Sequence, residues 1–151
     1  AELYNEAVMY NADDAFTYIL RAENCQRMGD VEGAVRDYEM VLRMSDDATS
    51  FSSLQGFALA RLGRTAEAED WMEKVLNNST ATEADRHYQA ACLYAQTGNR
   101  TKAYQNLEKA FKAGYGDYYN IYFYSDSPIT LAPLRGEADF RSLVQGYSDI
   151  F

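Results

Sequence analysis

Histidine occurs once in this chain of 151 residues, and cysteine and proline twice each. The single imidazole, His87, and two widely separated thiols, Cys25 and Cys92, cannot build a usual four-ligand zinc centre. His87 also lacks an evident Ser or Cys nucleophile as partner, so it reads as a surface or groove residue and not as a catalytic base. The cysteines read as small apolar packing residues and do not decide the redox compartment. Basic residues are scarce, 14 against 23 acidic ones, and none of them form a run. The resulting net charge of −9 opposes binding to nucleic acid and to anionic lipid. No apolar run approaches the length of a membrane span, and no signal-peptide pattern opens the chain. With so little proline and 47% hydrophobic residues, the chain is able to bury a core and does not read as a disordered tail.

Chemistry-bearing motifs are equally thin. Asp13-Asp14, Asp46-Asp47 and the Glu67, Glu69, Asp70 group fall at helix starts or on solvated faces, where the helix dipole favours negative charge. Gly114-Tyr115-Gly116 follows a helix and lacks the Lys-Ser/Thr of a phosphate-binding loop. Asn78-Ser79-Thr80 and Asn99-Arg100-Thr101 match glycosylation acceptors of a kind common by chance. No enzyme, cofactor or metal is indicated.

What the chain does have is repetition. The stretch from Gly29 to Val41 returns, altered, from Gly63 to Val75 and again from Gly98 to Ala110. The three glycines stand 34 and 35 residues apart (63 − 29 and 98 − 63). Each sits between two runs of helical spacing, as in Phe16, Ile19 and Ala22 before it and Ala34, Val35, Tyr38 and Val41 after it. The spacing predicts three helical hairpins: about Ala15–Met28 with Val31–Met44, Ala48–Leu62 with Thr65–Leu76, and Glu83–Thr97 with Thr101–Ala113. Asp13 or Asp14 is placed to cap the first helix, and Ser45-Asp46-Asp47 supplies caps for the second hairpin. Small residues recur at the repeat interval (Ala22, Gly56, Ala91 and Ala34, Ala68, Ala103), with Tyr38, Met72 and Leu107 at a matching large position. Paired helices approach closely only where side chains are small.

A period of 34 residues with this pattern resembles the tetratricopeptide repeat family, over roughly the first three-quarters of the chain. The resemblance implies an all-α solenoid of helical hairpins in one domain. Residues 1–14 would be a partial repeat, 15–48, 49–83 and 84–116 three full repeats, and 117–151 a capping tail. The tail, with Asp126, Leu131-Ala132-Pro133-Leu134-Arg135-Gly136 and Asp139-Phe140-Arg141-Ser142-Leu143, resembles the ending of many bacterial repeat proteins and should cover the last repeat's apolar face. Tyr115, Tyr118, Tyr119, Tyr122 and Tyr124 crowd its start, either wedged on the last hairpin or marking an interface.

The family resemblance further implies a non-enzymatic scaffold for protein–protein interaction, which docks a partner peptide or helix on the concave wall. Carried over position by position, that wall would present Phe16, Ile19, Glu23 and Arg27 from the first repeat. Ser53, Phe57 and Arg61 would follow from the second, and Asp85, Tyr88 and Gln96 from the third. A peptide with apolar side chains and an acidic group would suit this mixture, although the chain's own tail could cover the same residues. The carboxylate clamp of chaperone-tail binders is excluded, because Glu23 and Asp85 stand near places where cations are needed. The alternative is a regulatory or assembly segment of a larger polypeptide, a membrane protein or an enzyme, with its main part upstream. The start at Ala1 in mid-repeat motivates that reading and leaves the compartment, bacterial cytoplasm or periplasm, open.

Overall fold

The computed structural model describes residues 14–44, 52–78, 81–117, 121 and 130–147. The partial repeat expected over the first residues, the Ser45-Asp46-Asp47 caps and four of the five clustered tyrosines lie outside that set. Among the described residues every regular element is helical. In chain order these are α1 Ala15–Arg27, α2 Val31–Met44, α3 Ser52–Arg61, α4 Thr65–Asn78, α5 Glu83–Thr97 and α6 Arg100–Lys112. A 3-10 turn at Ala132–Leu134 and α7 Ala138–Tyr147 follow. The all-α repeat architecture expected from the period is present.

Local chemistry explains where these helices start and stop. Asp14 caps α1, its carboxylate accepting from the Phe16 N–H at 3.0 Å and from the Thr17 hydroxyl at 2.7 Å. Thr82 caps α5 through the Asp85 N–H, and Asn99 caps α6 through the Lys102 N–H. Gly29, Gly63 and Gly98 adopt φ of +80°, +76° and +81°, the left-handed turn that lets each hairpin's second helix double back. The repeated glycine is therefore a backbone requirement.

Each hairpin packs its two helices along their length, and consecutive hairpins stack: α1 on α3 and α3 on α5, with α2 and α4 filling the seams behind. The first helices of successive repeats thus lie side by side and form one wall, the one that the repeat resemblance expects to be the inner one. The small positions are closed as expected, with Ala22, Ala68, Ala91 and Ala103 fully buried and Tyr38, Met72 and Leu107 sealing the adjacent gaps. Gly56 has a packing reason to be small. A Cβ there would come within 2.6 Å of Cδ2 of Leu93, a side chain with no accessible surface.

Polar bonds cross the repeat joints. Gln55 Nε2 donates to the Val41 carbonyl at 3.2 Å inside the first joint. At the second, Tyr94 donates to Glu73 and Asn99 Nδ2 to Glu69, both at 2.9 Å. Within the first hairpin, Arg21 grips the buried Asp37 carboxylate with a forked pair of bonds, Nε to Oδ2 at 2.6 Å. The tail closes the far end. Leu131, Leu134, Phe140 and Val144 are enclosed, and the Phe111 and Tyr147 rings stack at 5.2 Å. Each such apolar side chain contributes about 1.5–3 kcal/mol on burial. The described part of this segment packs on both helices of the last hairpin.

Candidate functional site

The residues expected on the concave wall divide into three groups. Ile19 and Phe57 have no accessible surface at all. That corrects the expectation that a partner touches them. Side-by-side packing of α1, α3 and α5 brings these two positions into the joints between first helices, with Phe57 met edge-on by Tyr38 at 6.4 Å. Phe16, on α1, is half-buried, while Arg27 at its end and Asp85 at the start of α5 are exposed. Ser53 lies on α3.

Glu23, Arg61 and Gln96 form the second group, and the fold ties them into one line. Glu23 accepts from the buried Tyr38 hydroxyl and from Arg61 Nε at 2.9 Å. Arg61 lies over the Phe57 ring, 4.5 Å from its centroid, and its Nη2 donates to Gln96 Oε1 at 3.0 Å. Gln96 Nε2 in turn donates to the Thr130 carbonyl at 2.9 Å. The line therefore runs through all three repeats and ends on the backbone of the tail. Burial first, and the Glu23 carboxylate second, push the Tyr38 phenol far above its ordinary value, so it stays a donor to Glu23.

Tyr88 belongs to the third group, where the chain covers itself. Its ring stacks on Tyr115 at 4.0 Å, almost parallel, and burial raises both phenols. Cys92 beneath them is enclosed, and desolvation pushes its thiol up to about 12, so it stays protonated. The 3-10 turn rests on α5, and Arg135 Nε reaches back to the Ile121 carbonyl at 3.0 Å. Among the described residues, the expected wall is thus covered at Tyr88 of the third repeat, while Phe16 is half-buried and Arg27 and Asp85 are exposed. The tail's hold on Gln96 was not visible in the sequence, because no pattern marks which backbone carbonyl a glutamine will take. The equivalence of Arg27, Arg61 and Gln96 at the repeat interval was the one available hint.

Among the described residues, no three His, Cys, Asp or Glu side chains converge as they would around a metal ion, and no helix is long and apolar enough to cross a membrane. The family profile for the tetratricopeptide repeat matches residues 84–113, the third hairpin. This chain thus carries a tetratricopeptide repeat at its third hairpin. It is also 30% identical over 112 residues, 74% of its length, to DnaJ homolog subfamily C member 3 of Rattus norvegicus. It spans only 22% of that protein's length. A rat relative lends no support to a specifically bacterial kind of repeat protein. No solved structure matches the chain significantly. Tetratricopeptide repeats generally mediate contacts between proteins.

Proposed function

We propose that this chain is a non-catalytic interaction module that docks a peptide or helix of a partner protein along the open part of its inner wall. The observation that supports this most directly is the chain's own use of that wall. Gln96, an amide of the expected wall, holds the Thr130 main-chain carbonyl of the tail, and the next residue, Leu131, is fully buried. The wall thus seats a non-helical segment by one side-chain-to-backbone bond and one apolar anchor, the elements of peptide docking. At the first repeat the same wall presents Phe16 as the apolar contact and the Arg27 guanidinium, at the repeat-equivalent of Gln96, as the polar one. An arginine at that place suits a segment with a carboxylate near its apolar side chain.

A displayed library of short random peptides, selected against the intact chain, tests this reading. Selected peptides should pair an apolar with an acidic residue and lose at least about tenfold in affinity towards a Phe16→Ser/Arg27→Glu variant of unchanged circular dichroism. Selected peptides that bind this variant as well as the wild type would move the working surface away from the inner wall.

A further inference from the structure

The third hairpin carries a second feature, away from the glycine turn. The N-terminal turns of α5 and the last turns of α6 enclose a depression of about 450 Å³, lined by Glu83, His87, Lys109, Lys112 and Ala113. Its histidine is fixed. Asn106 is nearly buried and spends its Nδ2 donors on the Lys102 carbonyl at 2.9 Å, which leaves Oδ1 as the acceptor facing His87 Nδ1, also at 2.9 Å. Two acceptors cannot bond each other, so His87 Nδ1 carries the proton in the neutral ring and Nε2 is left as an acceptor. Nε2 lies on the side of Glu83, whose Oε1 is 4.0 Å away on an exposed side chain.

Lys109 and Lys112 stand three residues apart and so share a face of α6. Lys112 reaches Glu108 at 3.4 Å, but both side chains are exposed and such a pair is weak. Lys109 makes no ion pair among the described residues. Cations at a helix C-terminus offset its dipole, which accounts for the lysines alone but not for the locked imidazole between them and α5. Nor does repeat stacking demand the set. The positions equivalent to His87, Lys109 and Lys112 are Ser52, Lys74 and Asn77 in the second repeat, and Tyr18, Met40 and Arg43 in the first. Only the third repeat combines an imidazole with two ammonium groups.

We propose that this depression is a docking point for an acidic residue of a partner peptide. The carboxylate sits between the Lys109 and Lys112 ammonium groups, and the peptide's own backbone N–H donates to His87 Nε2. A free inorganic anion satisfies the lysines but has no N–H to offer the imidazole. The chain's net charge of −9 adds selectivity: most of the surface repels an acidic segment, while the depression sets two lysines against one lining carboxylate, that of the exposed Glu83. The point is separate from the inner wall, so it stands or falls independently of that reading.

Because His87 is the only histidine, its Cε1–H signal in a proton–carbon NMR spectrum reports on the depression without ambiguity. The full chain is titrated with acetyl-Glu-Glu-Gly amide, with the matching Gln-Gln-Gly peptide, and with sodium acetate. The acidic peptide should shift the His87 signal to saturation, at least about tenfold more tightly than either control. A Lys109→Gln/Lys112→Gln variant with an unchanged amide spectrum outside α6 should lose the saturable shift. An absent shift, an equal response to the glutamine peptide or to acetate, or undiminished binding by the variant would each overturn the proposal.

Discussion

Arg61 stands at a junction of three side chains. It holds the Glu23 carboxylate, the Gln96 amide and the Phe57 ring face at once, from a half-buried position. Hydrogen bonds to charged groups contribute about 1.5–3 kcal/mol, and removing one partner leaves the other desolvated and unpaired. Arg61→Ala should therefore cost about 2–3 kcal/mol in urea unfolding, and Arg61→Lys should recover only part of that, because an ammonium lacks the guanidinium fork. The thiols offer a second check at this scale. Cys92 is enclosed and held up near 12, whereas Cys25 is half-buried with a more modest upward shift from burial and nearby Asp30 and Asp37. A thiol reagent at pH 8 should modify Cys25 first and Cys92 only as fast as the chain unfolds, read by mass spectrometry. At residue level the sequence was a poor guide to exposure. Ile19 and Phe57 follow the family's concave positions, yet the close approach of neighbouring first helices encloses them, and helix spacing alone cannot reveal how near the next repeat comes.

Elements were far more legible, since their ends are set by local chemistry. The glycine turns, the Asp14 cap and the limits of α5 follow from propensities and left-handed backbone that a short stretch of sequence carries by itself. The periodic small positions were equally plain, and Ala68→Leu should overpack the second hairpin, lowering stability by about 1–3 kcal/mol in thermal or urea melts. The sequence led to the expectation of a tail over the last repeat, but which polar side chains join it to α6 was not legible, because they lie far apart in the chain. Glu137 accepts from the Tyr104 hydroxyl at 2.6 Å and pairs with Arg100. The Tyr104 hydrogen bond first, and Arg100 second, hold its carboxyl below the usual 4.5. A carboxyl whose folded value is depressed stabilises above its unfolded value and loses that contribution as pH falls through the folded one. Glu137→Gln should thus melt lower than wild type at neutral pH. The gap should narrow as pH drops below about 4.5, followed by circular dichroism.

On the scale of the whole molecule, the chain is a short stack in which each hairpin is buried by its neighbours, so damage at the end travels inward. Phe140 is enclosed where α7 meets the last repeat, and Phe140→Ala should cost about 3–5 kcal/mol. It should also speed hydrogen exchange in α5 and α6 before it affects α1 and α2, since coupling passes only between neighbours. The line from Tyr38 through Glu23, Arg61 and Gln96 to Thr130 has a mechanical consequence. Prising the stack open along its first-helix face lengthens that face, and here it is stitched by bonds arranged in series. The same stack compressed or bent the other way loads none of them. Its elasticity should therefore be lopsided, stiff towards opening and compliant towards closing, with Arg61 as the link that yields first.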